Sequence, residues 1–250
     1  MRELIATVTS WIDDARRVVV LSGAGISTDS GIPDFRGPQG VWTMNPEAEK
    51  MSNITYYVSD KDVRKKAWRY RMENRMWERE PNPGHLSCLR LEQREKLLMV
   101  ITQNVDGLHL KAGTSPGRLV EIHGTMREVV CLDCGERAPI ERALKRVEEG
   151  EDDPPCRSCG GILKTATISF GQALVQRDME RAQMAARNCD LLLAVGSTLS
   201  VYPIAGVVPL AKEQGAKVVI INAAPTAMDN LADAILRGSI SEIFPQIVRA

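Results

Sequence analysis

Four short runs of branched apolar residues limit most strongly what this chain can fold into: residues 18–21 (VVVL), 97–102 (LLMVIT), 190–195 (DLLLAV) and 217–222 (KVVIIN). Their apolar residues are consecutive, not alternate, which is the pattern of strands buried on both faces. Each run ends in small or amide-bearing residues: Ser22-Gly23-Ala24-Gly25, Gln103-Asn104-Val105-Asp106, Gly196-Ser197-Thr198 and Asn222-Ala223. Shorter runs at 119–122 and 167–170 also read as strands. Between them lie segments with helical spacing at 3–16, 85–94, 175–188, 203–214 and 240–248. Alternating strands and helices predict an α/β fold with a mostly parallel sheet covered by helices on both faces.

Two stretches break that alternation. Residues 41–83 contain no strand-like run and read as a helical insert, and residues 128–164 hold four paired cysteines. A chain of 250 residues accommodates one large α/β domain with a smaller unit inserted into it. The expected division gives residues 1–40, 84–127 and 165–250 to the large domain. Residues 41–83 and 128–164 go to the small one. Trp68, Tyr70 and Trp77 are interleaved with Arg and Lys in the insert, but Glu73, Glu78 and Glu80 dilute the charge, so it reads as a solvated helix face. With 32 basic and 32 acidic residues, bulk electrostatics recommends neither a nucleic-acid nor a membrane-surface partner. The N-terminal segment is interrupted by Asp13 and Asp14, so it does not read as a secretory signal. No apolar stretch approaches the roughly 20 residues that span a bilayer. A cytoplasmic location is the expectation.

In that compartment, Cys131-Leu-Asp-Cys134 and Cys156-Arg-Ser-Cys159 read as ligands and not as disulfides. Two Cys-x-x-Cys pairs at this separation match a tetrahedral site for one zinc ion. Four thiolates leave no open coordination position, so the metal is expected to be structural.

The Gly23-Ala24-Gly25 turn allows close approach of backbone to a phosphate, and the segment after it can offer a helix N-terminus. The usual third glycine of the dinucleotide fingerprint is not at its spacing, so an ordinary strand and turn remains an alternative here. His123 follows an apolar run and falls in the same strand-end tier as Gln103, Asn104 and Asp106. A neutral imidazole there suits a general base, although a lone histidine is more often structural. His85 and His109 have weaker claims.

Taken together and in order, these elements resemble the sirtuins, the NAD-dependent protein lysine deacylases, in their bacterial Sir2-like form. The resemblance is carried by Gly23-Ala24-Gly25-Ile26-Ser27, by Gly31-Ile32-Pro33-Asp34-Phe35-Arg36-Gly37 and by Thr102-Gln103-Asn104-Val105-Asp106-Gly107-Leu108-His109. His123-Gly124, the cysteine quartet, Phe170-Gly171, Gly196-Ser197 and Ile221-Asn222 follow in the same order. The family's fold is a Rossmann-like domain with a smaller helical and zinc-bearing domain. NAD and an acylated-lysine protein or peptide meet in the cleft between them.

By that resemblance, Gly23, Ala24 and Gly25 hold the pyrophosphate, and Ile32, Asp34, Phe35 and Arg36 belong to a cofactor-binding loop. Gln103 approaches the ribose, Asn104 and Asp106 line the nicotinamide pocket, and Gly196, Ser197, Asn222 and Ala223 take the phosphate or adenosine side. His123 is the general base, and Ile168, Phe170, Gly171 and Val201 flank the peptide as an added strand. The implied reaction removes an acyl group, acetyl first among them, and releases nicotinamide and O-acyl-ADP-ribose. Protein mono-ADP-ribosyl transfer and a non-catalytic NAD-binding module are the competing readings. Two departures stand out. The Tyr-x-x-Arg pair of members that prefer acidic acyl groups is replaced at its spacing by Ala67 and Tyr70, with Arg69 and Arg71 close by. The family's Phe-Gly-Glu is Phe170-Gly171-Gln172.

Overall fold

The computed structural model describes residues 1–35, 37 and 40–249, the side chains of Pro46 and Glu47 excepted. In chain order its strands are β1 (Val18–Ser22), β2 (Leu97–Thr102), β3 (Leu119–Glu121), β4 (Gly124–Cys131), β5 (Arg137–Pro139), β6 (Leu163–Thr167), β7 (Leu191–Val195), β8 (Lys217–Ile221) and β9 (Ala234–Leu236). Its α-helices begin with α1 (Arg2–Asp14), α2 (Val41–Met44), α3 (Ile54–Ser59), α4 (Lys61–Glu73) and α5 (Pro83–Gln93). They continue with α6 (Leu108–Lys111), α7 (Ile140–Glu148), α8 (Gln176–Asn188), α9 (Val207–Glu213) and α10 (Ile240–Ile247).

Six strands form one parallel sheet in the order β3-β2-β1-β7-β8-β9. Along β1, Val18 and Val20 enter one apolar layer while Val19 and Leu21 enter the other. The first layer is completed by α1, α5 and α10, and the second by α8 and α9. Burial on both faces explains why these runs show no polar alternation. From β1 the chain steps outward to β2 and β3, and it later fills the other side with β7, β8 and β9. The topological switch point therefore lies between β1 and β7, and ligands of open α/β sheets bind beyond the strand ends at that point.

The other three strands form an antiparallel sheet, β5-β4-β6. Its own core joins Trp68 of α4 to Val129, Ile140, Ala143, Leu144 and Leu163. Arg64 of α4 also grips the Asp153 carboxylate at 2.9 and 3.2 Å, and Lys65 meets Asp152 at 3.5 Å. The acidic turn between the cysteine pairs thus has its cations in the helical insert. The boundaries expected at 127/128 and 164/165 fall inside β4 and β6.

Three local expectations need correction. The Gly-Ala-Gly turn leads into two 3₁₀ turns, Ala24–Ile26 and Thr28–Ser30, and not into an α-helix. There the Thr28 hydroxyl donates to the Gly25 carbonyl at 3.0 Å, the kind of local bond that competes with helix continuation. The strand expected at 167–170 lies earlier, as β6, and pairs with β4 in the small sheet. Phe170 keeps only an isolated bridge to Asn53. Finally, 203–214 divides into a 3₁₀ turn, Ile204–Gly206, and α9.

Candidate functional site

A cleft of about 1080 Å³ opens where β1, β2 and β7 end. Single-ligand pockets run from roughly 300 to 1,000 Å³, so this one has room for a dinucleotide and a segment of peptide. From the glycine turn it is lined by Gly23, Ala24, Gly25, Ile32, Asp34 and Phe35. The strand ends add Gln103, Asn104, Asp106, Gly196, Ser197, Asn222 and Ala223, and the far wall adds His123, Ile168, Phe170, Gly171 and Val201. Arg36 lies outside the described residues.

At the switch point two turns pack against each other with no space for side chains. The Gly25 N–H donates to the Gly196 carbonyl at 2.9 Å. A Cβ at Gly196 would stand 2.4 Å from the Ile26 nitrogen, and the residue has φ +65°. Bare backbone is therefore what this corner presents to a ligand. Gly196→Ala is expected to lower stability by about 1–3 kcal/mol through strain alone. It should also weaken binding of a nucleotide phosphate at this corner at least tenfold, since the turns must part. Calorimetric titration and denaturant unfolding check both, and unaltered binding would show that the close approach is unimportant.

A polar tier lies beside that corner. The Asn104 amide donates to the Gly23 carbonyl at 3.1 Å and to the Ser27 hydroxyl at 3.0 Å. The Ser27 hydroxyl in turn donates to Asp106 at 2.7 Å. Asp106 also accepts from the Leu108 N–H at 2.9 Å. Burial raises its carboxyl above the ordinary range, opposed by those two donors and by Arg127. Gln103 donates to the Ser197 hydroxyl at 2.8 Å, which ties β2 to the turn after β7. In the sequence Ser27 belongs to the 23–27 motif with no role of its own, because a hydroxyl that links Asn104 to Asp106 has no spacing signature.

His123 closes the tier from the other side. Its Nδ1 lies 2.9 Å from the Gln103 carbonyl. A carbonyl only accepts, so the ring proton belongs on Nδ1 and Nε2 keeps its lone pair. Burial lowers the His123 pKa from its ordinary value, with the Gln103 bond opposing, so the ring is neutral at pH 7.

His85 and His109 are structural. His85 Nδ1 accepts the Asn82 N–H at 3.2 Å and completes the cap of α5. His109 Nε2 meets the Ser22 hydroxyl at 2.9 Å, and both rings are buried edge to face. Burial pushes His85 down to about 4 and His109 well below its ordinary range. With both folded-state pKa values lowered, the unfolded chain binds more protons below pH 6.5, so stability falls as the pH drops. Between pH 7 and pH 5 the loss should be about 2 kcal/mol for each histidine. Urea unfolding at the two pH values measures it, and His85→Gln should remove part of the slope. A flat profile would contradict the neutral buried rings.

The opposite wall is aromatic. Phe35 lies 4.8 Å from Trp42, and Trp42 lies 5.5 Å from Phe170, centroid to centroid. Trp42, another residue not anticipated, bridges the cofactor-side loop and the far wall. The Ile168 N–H donates to the His123 carbonyl at 2.7 Å, which fixes that wall to the tier. The Phe170 N–H and carbonyl are taken by Ser52 and Ile54. Gly171 makes no backbone bond among the described residues, so its N–H and carbonyl have no backbone partner there.

Away from the cleft, the Cys131, Cys134, Cys156 and Cys159 sulfurs all lie within 4.8 Å of one another. Cys131 and Cys159 are 3.5 Å apart, and Cys134 and Cys156 are 3.8 Å apart. Tetrahedral zinc with Zn–S of about 2.3 Å separates its sulfurs by about 3.8 Å, so the donor set fits the ion. Cys131 and Cys156 also belong to the core of the small sheet. No helix among the described residues is long and apolar enough to cross a membrane.

The model of the Sir2 family matches residues 23–203. An "NAD-dependent protein deacetylase 2" of Streptomyces coelicolor is 47% identical over 232 residues, covering 93% of this chain and 96% of that relative. A solved structure from work on the mechanism and regulation of Sir2 enzymes has a TM-score of 0.89 at 37% identity, covering 99% of this chain and 97% of the other. A structure of Sir2 bound to acetylated peptide has a TM-score of 0.85 at 29% identity, covering 96% of this chain and 95% of the other.

Proposed function

The chain belongs to the Sir2 family, and on that premise we propose how its own residues perform NAD-dependent removal of acyl groups, acetyl first, from protein lysine side chains. The products are nicotinamide and O-acyl-ADP-ribose. The observation that carries the reading is His123, whose Nε2 has no hydrogen bond among the described residues, lining the same cleft as the Asn104–Ser27–Asp106 chain and the Gly23–Gly25 corner. NAD supplies, when bound, a ribose carbon from which nicotinamide leaves and the hydroxyl that finally carries the acyl group.

The chain's groups divide that work. Gly23, Ala24, Gly25, Gly196 and Ser197 receive the phosphates against bare backbone, and Asn222 and Ala223 border the adenosine side. Ile32 and Asp34 shape the loop that carries Phe35 and Arg36, with Phe35 shielding the reacting face from water. Gln103 orients the ribose, while Asn104 and Asp106, braced by Ser27, hold the nicotinamide end. His123 Nε2 takes the proton of the ribose hydroxyl, and its Nδ1–H, held on the Gln103 carbonyl, keeps the ring in the required tautomer. Gly171 and Val201 pair with the peptide, and Ile168 and Phe170 enclose the acyl-lysine. One zinc ion on the four cysteines keeps the small sheet folded and takes no part in the chemistry. A cytoplasmic location, where thiolates stay reduced, goes with this reading, and nothing in it calls for nucleic acid.

Mass spectrometry of products from acetyl-, propionyl-, succinyl- and lipoyl-lysine peptides with NAD tests the proposal. Acyl groups transferred to ADP-ribose are expected. ADP-ribose left on protein would favour the transferase alternative, and no nicotinamide release would favour a binding module.

A further inference from the structure

After β8 the chain borders the cleft with Asn222, Ala223 and Ala224. Residues 223–226 make no backbone-to-backbone hydrogen bond among the described residues, so this border has no ladder of its own. Side chains hold it instead. Arg237 Nη1 donates to the Ala224 carbonyl at 2.8 Å and to the Asn222 carbonyl at 3.2 Å. Its Nη2 meets the Asp229 carboxylate. Asp229 accepts in turn from the Thr226 hydroxyl at 2.7 Å and from the Thr226 N–H at 3.2 Å. Burial works to raise the Asp229 pKa, but the Thr226 donors and Arg237 outweigh it and hold the carboxyl below its ordinary value. The far end of the loop is tied to the turn after β7, where the Ala227 N–H donates to the Thr198 carbonyl at 3.0 Å.

Arg237 also stands at the head of the facing border. It follows β9 directly, and the next three residues, Gly238, Ser239 and Ile240, line the cleft. Its backbone therefore continues into one border while its guanidinium holds the other, and the gap between them is set by one side chain. The phosphate corner is built differently, from the Gly25 N–H on the Gly196 carbonyl with no side chain involved. A planar fork can serve two carbonyls and a carboxylate at once, which a single ammonium cannot do with the same geometry. The Arg237 side chain is 31% exposed and belongs to neither apolar layer, so its removal leaves the packing of the six-stranded sheet in place.

We infer that Arg237 is a positioning residue for the cofactor: it fixes the slot that receives the adenosine end, touches none of the reacting atoms, and acts through Asn222 and Ala224. The inference rests on the reading that places adenosine beside Asn222 and Ala223.

The test is calorimetric binding of ADP-ribose, which carries adenosine, and of nicotinamide mononucleotide, which does not. Arg237→Met should weaken ADP-ribose about tenfold, within the worth of hydrogen bonds to a charged group, and leave nicotinamide mononucleotide within twofold. In turnover with an acetyl-lysine peptide, KM for NAD should rise about tenfold while kcat at saturating NAD stays within twofold, the mark of lost uniform binding. Arg237→Lys should recover part of the affinity. A merely structural role would weaken both ligands alike. That result, or an ADP-ribose affinity unmoved in Arg237→Met, overturns the inference. If Arg237→Met does not fold, Asp229→Asn removes one anchor of the guanidinium and should give the same split at smaller size, and the absence of a split there overturns the inference as well. An unaltered enzyme that binds ADP-ribose but turns over no acetyl-lysine peptide would count against the deacylase reading instead, and the binding comparison would still decide the role of Arg237.

Discussion

His123→Ala is expected to lower kcat/KM for acyl-lysine by about 10²–10⁴-fold, the usual worth of a positioned general base. The fold should survive, because among the described residues the ring makes one hydrogen bond, to the Gln103 carbonyl. The Ile168 contact that fixes the far wall uses the His123 backbone, which the substitution leaves in place. The pH profile gives a second readout. Burial lowers the His123 pKa, so the neutral ring persists on acidification and the acid limb of kcat/KM should have its midpoint below 6.5. A midpoint above 6.5, or full activity in the Ala variant, would assign the proton transfer to another group. Unfolding by heat separates a catalytic loss from a structural one, since the melting temperature should stay within a few degrees.

How much of this was legible in the sequence depends on how local the cause is. Val18 to Leu21 and Leu191 to Val195 are buried on both faces, and an unbroken apolar run is the direct imprint of that environment. The cysteine quartet was legible because one ion imposes both the residue type and the spacing. β6 was not, because Leu-Lys-Thr-Ala-Thr is mostly polar and follows neither strand pattern, yet Lys164 and Thr165 are buried and not exposed. β9 has only Ala234, Ile235 and Leu236, too short a run to stand out before β8 is known to lie beside it.

In the cleft, the expected residues are those whose neighbours in sequence already suggest a strand end. The roles of Ser27 and Trp42 escaped notice because they lie in partners distant along the chain: Asn104 and Asp106 for the first, Phe170 for the second. Arg237 belongs to the same class. In sequence it is one cation among many. Only the pairing of β9 with β8 brings it to Asn222 and Ala224.

Removing the zinc ion proposed for the cysteine quartet should have the other large effect, and it should reach the cleft. β4 ends at Cys131, and Cys156 and Cys159 immediately precede the return into β6. An ion on the quartet would therefore pin β4, the central strand, and its neighbour β6 in a sheet whose core has eight buried members among the described residues, Cys131 and Cys156 included. Structural zinc in small domains binds with an apparent free energy of about 10–16 kcal/mol at pH 7, which is folding free energy. Chelation, or Cys131→Ala, is expected to lower the melting temperature by about 10 °C or more, with loss of one equivalent of zinc measured by metal analysis. The disturbance should spread along two bonds. The Tyr57 hydroxyl of α3 donates to the Leu163 carbonyl at 2.9 Å, and Arg71 of α4 donates to Thr165, both on β6. Trp68, fully buried between α4 and the small sheet, should therefore become solvent-exposed in fluorescence when the metal leaves. The six-stranded sheet shares no core residue with that cluster and should keep its own unfolding transition. A protein that lacks zinc as isolated and melts at the same temperature after Cys131→Ala would show that the sulfur cluster forms without an ion.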